Sequence, residues 1–495
     1  MTWKPNWQLN YCRLQDLPKL AWIAEVDPAN KTVQLWHGTS VECHPLWCVE
    51  GVWEDDFERG NFHDVENFFG SGVRVEGNNL TFCASVAPTD RLVHVWWREP
   101  CYASNSLIQL LARTGARLSL RHDYAEETFA SRFGIHDYPS AIRVEHADFA
   151  VVYQEYHCNL TLEEGRLVRS VRSLPRRFMS FDGYQHALVQ ALGKIRDNYR
   201  SPGRRYKLAA FTTTSTGYDS SAVSALGKSL GVTESFTTED DAKVAARRRE
   251  SGLDVVKALG LNARTMCANP KQISAVERYF LAACIDGSEI IYHDLIQDIE
   301  AHYDSAVVFT GYYGDVVWSR AMPRFADDIR RKDVSGLGIA EVRLWAGFVH
   351  VPVPTMYARN IADIVAISNS IEMQPWRMVS DYDRPIPRRI AETAGVPRGL
   401  FGIAKRAQLI YYNQPKNAQL KREFFDYVTR GLRITRFRLE LIDLLRYVDY
   451  RLAQLRGSRP VLADRIHNRR SLMFVWAVNS LASEFEGLYS NQTAT

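Results

Sequence analysis

Ser215-Thr216-Gly217-Tyr218-Asp219-Ser220-Ser221 follows a strand-like run, Lys207 to Thr214, and opens a helix-like run, Ser220 to Leu230. A strand, a small-residue turn and a helix start together make an anion site. The first backbone N–H groups of a helix lack intrahelical partners and carry the positive end of its dipole. Gly217 lets backbone approach a ligand closely, and Ser215, Ser220 and Ser221 add hydroxyl donors. Asp219 repels phosphate unless a cation lies between them, so its presence argues for Mg2+ bridging carboxylate and phosphate. No Gly-Lys-Ser/Thr follows, which excludes a Walker loop. Taken alone, the same residues also read as an ordinary helix cap.

A second strand-like run, Ala306 to Thr310, ends in Gly311-Tyr312-Tyr313-Gly314-Asp315. Two strand ends that each present an aspartate can hold one Mg2+ from two sides. A third passage, Tyr382-Asp383-Arg384-Pro385-Ile386-Pro387-Arg388-Arg389 and then Gly395 to Arg406, is rich in Arg, Pro and Gly and sets Lys405 on a loop.

The elements that must position these residues alternate from Leu208 onward: strand to Thr214, helix to Leu230, strand Ser235 to Thr237, helix to Leu259, strand Ala263 to Met266, helices to Tyr303, strand Ala306 to Thr310. That order predicts a parallel sheet with helices on both faces and ligand sites at the carboxyl ends of its strands. Residues 1 to about 170 read instead as short alternating strands such as Thr32 to Trp36 and Leu80 to Ala84. Between the two, Phe181 to Tyr199 has helical spacing and Arg200-Ser201-Pro202-Gly203 breaks it, marking a junction. Trp345, Phe348, Val349, Tyr357, Ile361 and Trp376 supply material for a pocket wall or for plain core.

After about residue 415 the chain reads as helix. Leu441, Leu445, Val448, Leu452 and Leu455 form an apolar stripe, and Leu472 to Val478 suits a docking helix. Fourteen Lys/Arg against six Asp/Glu between Lys416 and Arg470 suit an acidic peptide, a carrier protein or RNA, or a solvated face.

At 495 residues the chain is long for one core, so two or three domains are expected. A net charge of +4 is too small to imply nucleic acid by itself. The start, Met1-Thr2-Trp3-Lys4-Pro5, lacks a signal-peptide core and no apolar run reaches membrane-spanning length, so a cytoplasmic protein with no membrane partner is expected. The eight cysteines form no CxxC pair; Cys43-His44 and Cys48 lack a second pair to complete a zinc set, and all read as reduced thiols.

The three passages, in this order over ~190 residues, together resemble the asparagine synthetase superfamily of AMP-forming ATP pyrophosphatases. The first resembles its pyrophosphate loop, Ser-Gly-Gly-x-Asp-Ser-Ser, with Thr216 at the second position. The second stands where that family has Gly-Glu-Gly-x-Asp-Glu; Tyr312, Tyr313 and Val316 depart from it, and a Gly-Tyr start is similar to beta-lactam synthetases and their carbapenam-forming relatives. Phe68 to Val73, Asp90-Arg91-Leu92 and Tyr102 to Leu107 resemble the glutaminase-like domain that precedes the synthetase domain. That domain uses an amino-terminal cysteine; residue 2 here is Thr, so no ammonia is expected from glutamine.

The resemblance implies an α/β chain: a degenerate, β-rich glutaminase-like domain of the N-terminal-nucleophile type over residues 1–170, a helical junction over 171–206, a doubly wound parallel-sheet ATP pyrophosphatase domain over 207–414 and a helical extension over 415–495. It implies an amide-forming ligase that uses ATP and Mg2+ to adenylate a carboxylate and then joins it to an amine. Asp219 and Asp315 would bind Mg2+; Ser215, Gly217, Ser220, Ser221 and Gly311 would bind the nucleotide; Lys405 would steady the leaving pyrophosphate; Tyr312, paired with a downstream glutamate, would take the amine's proton. Glu341 suits that pairing by chain distance, with Glu372 as competitor. The expected partners are a small-molecule or peptide carboxylate and an amine, with an acidic carrier at the basic segment and a homodimer left open. A ring-closing cyclase as in lasso peptide biosynthesis, an RNA-modifying ligase of the same fold and a non-catalytic nucleotide-binding scaffold are the alternatives.

Overall fold

A computed structural model of the chain describes residues 7–96, 100–172, 176–239, 251–267, 270, 272–286, 288–322, 328–331, 334–379, 382–403, 413–456 and 468–490. Five strands form a parallel sheet: β1 Leu208–Thr213, β2 Glu234–Thr238, β3 Asn262–Met266, β4 Ser305–Thr310 and β5 Phe348–Pro352, in the spatial order β3-β2-β1-β4-β5. The order reverses between β1 and β4, which pair from Leu208 with Ser305 to Thr212 with Phe309. A crevice opens at the carboxyl ends of two such strands because their connections leave in opposite directions.

β4 reads Ser-Ala-Val-Val-Phe-Thr and is buried throughout, as a strand covered on both faces must be. Ala306 and Val308 belong to one apolar cluster, with Phe280, Leu295 and Ile299. Val307 and Phe309 belong to the other, with Leu188, Ala222 and Val223. The two-residue side-chain period of a strand therefore divides the helices between two layers. Helix α1, Tyr218–Ser229, lies on the second face; helix α2, His293–His302, lies on the first. The expectation of an α/β chain with a doubly covered parallel sheet is met here. β5 carries no strand signal in the sequence, where Phe348 and Val349 suit a pocket wall or plain core.

The first third of the chain forms two stacked sheets. One has seven strands, in the order Gln8–Arg13, Thr32–His37, Trp22–Asp27, Cys101–Ser104, Leu92–Val95, Val151–Glu155, Ala141–Arg143, and is mixed because its first pair runs parallel. The other has six antiparallel strands from Arg166–Val171 across to Glu42–His44. Trp22, Ala24 and Val26 of the first meet Val73, Phe82 and Leu160 of the second between the layers.

The alternating runs read as strands lie in Thr32–His37 and Asn79–Cys83, and the helical spacing of 181–199 forms helix Phe181–Tyr199. Helix Arg469–Ser490 docks as expected, burying Leu472 to Val478 against helix Leu107–Thr114 and helix Glu277–Ala283. Helix Arg436–Arg456 differs. It leaves Leu441, Leu445, Val448, Leu452 and Leu455 exposed, while Leu439 and Ala453 are its buried residues. Among the described residues no helix is long and apolar enough to cross a membrane.

Candidate active site at the sheet switch point

The chain leaves β1 at Thr213, turns through residues 214–217 and enters α1 with Gly217 at its N-cap. Hydroxyls hold the turn. Ser215 Oγ lies 2.8 Å from Ser220 Oγ and accepts the Gly217 N–H at 3.1 Å. Ser221 Oγ donates to the Gly217 carbonyl at 2.8 Å and the residue is wholly buried. Ser221, expected on the phosphates, is thus turned into the core and braces the loop from behind. Ser215, Gly217 and Ser220 keep part of their surface open.

The loop after β4 packs directly on the loop after β1. A Cβ placed on Gly311 would stand 2.7 Å from the backbone of Asp219 and Ser220, and one on Gly314 would stand 2.3 Å from Asp219 Cγ. Only glycine fits at either position. Tyr313 between them adopts φ +70, the left-handed conformation that glycine enters freely and that costs other residues about 1 kcal/mol or more. Its ring is buried beneath the Arg331 guanidinium, 4.8 Å from the centroid, which compensates part of that strain.

The two aspartates come together, and each meets an arginine. Asp219 Oδ2 accepts a charged hydrogen bond from Arg384 Nη1, whereas its Oδ1 is buried with no hydrogen-bond partner. Asp315 Oδ1 accepts from Arg331 Nε at 3.1 Å, and Arg331 Nη1 is anchored on the Ser335 carbonyl at 2.6 Å. Burial raises the Asp219 carboxyl above its ordinary range; Arg384 pulls it back, and the nearby charge of Asp315 pushes it up again. Burial pulls Arg384 down, but Asp219, Tyr382 and Asp315 together raise it above its ordinary value.

Among the described residues no three His, Cys, Asp or Glu side chains form a metal cluster. Mg2+ nevertheless needs only one or two protein carboxylates when phosphate oxygens and waters complete its shell. The paired aspartates and the orphaned Oδ1 fit that donor set.

The third passage docks on the first. Gly402 N–H donates to the Thr216 carbonyl at 2.8 Å, and Gly402 takes φ +65 with its α-carbon against the Tyr218 ring, where a Cβ would come within 2.4 Å. Phe401 is buried edge-on to Tyr218, and Arg388 Nη2 donates to the Tyr218 hydroxyl at 2.5 Å. Lys405 and Arg406 lie outside the described residues.

Tyr312 faces a small cavity walled by Thr213, Tyr292, Thr310, Phe348 and His350. Its hydroxyl donates to that of Tyr292 at 3.3 Å, and its ring stands edge-on to His350. Burial, then the charges of Tyr292 and Glu289, push its phenol well above the ordinary value. His350 is fully buried, with Nε2 2.7 Å from Thr310 Oγ1, and burial pushes its pKa down to about 3, so it stays neutral.

The acid expected beside Tyr312 is elsewhere. Glu341 is buried, with Oε2 accepting from Ser106 Oγ at 2.6 Å and Oε1 from Leu107 N–H at 2.9 Å; it caps helix Leu107–Thr114. Glu372 accepts from Phe181 N–H at 2.9 Å at the start of helix Phe181–Tyr199 and pairs with Arg389 at 3.5 Å. The carboxylate whose charge reaches both Tyr312 and Tyr292 is Glu289, on the short 3-10 segment Ser288–Tyr292. Sequence reasoning missed it because it precedes Tyr312 by 23 positions and carries no periodic or motif signal. Arg384 lay inside a quoted passage, but its partner is set by tertiary packing.

No protein-family model matches the chain, and no curated protein sequence matches it.

Proposed function

We propose that this protein is an ATP-dependent, AMP- and pyrophosphate-forming ligase that adenylates a carboxylate and joins it to an amine. One observation carries the reading: three passages far apart in the chain converge at the switch point between β1 and β4. Gly311 and Gly314 pack on Asp219, Arg384 pairs with Asp219, and Gly402 bonds to Thr216. A sheet crevice, a helix N-terminus and two carboxylates are the parts that a nucleotide triphosphate needs.

In this reading the α1 N-terminus and the Ser215 and Ser220 hydroxyls bind pyrophosphate oxygens. Asp219 and Asp315 would hold Mg2+, which neutralises charge on the phosphates. The substrate carboxylate attacks the α-phosphorus, because a free carboxylate is a poor electrophile whereas its mixed anhydride with AMP carries a good leaving group. Lys405 steadies the charge growing on the departing pyrophosphate. Tyr312 is a neutral phenol, so it would receive the proton that the attacking amine gives up only as its own hydroxyl proton passes to Tyr292, with Glu289 the neighbouring carboxylate to take up the charge. Ammonia, or an amine on a second or the same substrate, serves as nucleophile. Residues 207–414 would form the pyrophosphatase domain and residues 1–170 a degenerate glutaminase-like one.

The arginine on each aspartate favours a second reading, a nucleotide-binding scaffold without catalysis. One experiment separates them. Incubation with ATP, Mg2+ and a metabolite extract is expected to yield AMP, pyrophosphate and a product lighter by one water than its precursors. Asp219→Asn is expected to lower pyrophosphate release at least about a hundredfold. Undiminished release in that variant would refute the ligase reading, and ATP binding without any turnover would establish the scaffold.

A further inference from the structure

Asp219 and Arg384 are both largely buried, with side chains 17% and 9% exposed, and form one ion pair at the point where the proposed reading needs a metal ligand. Asp315 and Arg331, at 21% and 5%, form the other. The local charge of these four groups is already zero. A bare divalent cation entering here would find no net negative charge, because each carboxylate is already neutralised by a guanidinium.

From this we infer that Arg384 is the resting counter-ion of Asp219, and that a divalent cation enters the site only with a nucleotide whose phosphates take over the guanidinium. The inference rests on the reading of the site as one for ATP and Mg2+.

Three features support it. Arg384 is the N-cap residue of helix Pro385–Thr393, so it flanks the helix and is not held within its turns. Its guanidinium also lies 5.2 Å over the Tyr382 ring, so Asp219 is not its sole anchor. Arg331 differs, because the Ser335 carbonyl ties it down beside Asp315. A planar guanidinium pairs with phosphate as readily as with carboxylate, so an incoming triphosphate offers Arg384 an equivalent partner. Its departure would leave both oxygens of Asp219 to the cation, Oδ1 being unpartnered already. No bond is made or broken; one salt bridge is exchanged for another.

The test uses Mn2+ as probe, with free aquo-ion read by electron paramagnetic resonance, and no nucleotide present. Full-length wild-type protein is expected to bind Mn2+ more weakly than ~1 mM. Arg384→Gln is expected to bind it at least about tenfold more tightly, and Arg384→Gln with Asp219→Asn to lose the gain. Calorimetry of Mg–ATP with the wild type runs alongside. Wild-type protein that binds Mn2+ alone more tightly than ~100 μM overturns the inference, whatever the variants' folding. If wild type takes Mg–ATP while folded Arg384→Gln shows unchanged Mn2+ affinity, the inference fails and the ATP reading survives. If wild type takes no Mg–ATP, the ATP reading fails and the inference falls with it.

Discussion

Replacing Arg343 with methionine is expected to destabilise the protein by about 3–5 kcal/mol at pH 8, and by less at pH 5. The guanidinium crosses from helix Ala340–Ala346 into the β-rich third of the chain. There it donates to Glu50 at 2.8 and 3.0 Å and to Asp90 at 2.6 Å. All three side chains are at most 3% exposed. Methionine fills the volume but leaves two carboxylates buried without their cation. Even with Arg343 present, burial pushes the Asp90 carboxyl up to about 6 from an ordinary value of 3.8; the arginine lowers it and Glu50 raises it further. Between those values the folded state holds a proton that the unfolded chain has lost. Stability from this group is therefore complete below 3.8 and falls as pH rises through about 6, by about 3 kcal/mol in total. Without Arg343 the folded value rises further, so acid relieves the variant more than the wild type. Urea unfolding followed by tryptophan fluorescence at both pH values measures the difference. A loss below about 1 kcal/mol at pH 8, or one that does not change with pH, would refute the reasoning.

Two other outcomes separate residues that the chain alone cannot rank. Glu289→Gln is expected to lower turnover about tenfold or more, whereas Glu341→Gln is expected to cost about 1–2 kcal/mol of stability and leave kcat intact, because its carboxylate caps a helix and pairs with Arg91 at 3.7 Å. The reverse pattern in steady-state kinetics and thermal unfolding would return the proton-transfer role to Glu341. Gly402→Ala is expected to weaken ATP binding, read by calorimetry, since its Cβ would strike the Tyr218 ring and its φ of +65 disfavours any side chain. Wild-type affinity in that variant would show that the 402 turn does not shape the 215–221 turn.

Local order was legible where one pattern dominates. The apolar run of β4 and the helical spacing of 181–199 predict their elements to within a residue. The loop at 215–221 was legible as a turn because a strand-like run gives way there to small residues and then to helical spacing. Pairings between distant residues were not. Glu341 suits Tyr312 by chain distance, with Glu372 as competitor, but chain distance says nothing about which layer a helix enters, and both carboxylates went to helix starts. Ser221 stands next to Ser220, yet the 100° turn between successive helix positions sends it inward. Tyr313 hides a glycine-like backbone behind an aromatic side chain, and no composition rule predicts a left-handed tyrosine.

Helix Arg469–Ser490 has a consequence for how the molecule is made. Its Asn479 bonds to Leu118 in both directions, and Tyr489 donates to Gln109 at 2.6 Å, so it closes a core begun more than 360 residues earlier. Contacts of such separation form slowly, because a long chain must be ordered before they return any energy. During synthesis helix Leu107–Thr114 and helix Glu277–Ala283 therefore wait with apolar faces open until residues 469–490 have emerged. A nascent chain stalled before that point would carry an exposed apolar surface, a ready target for chaperones, next to an otherwise finished sheet crevice.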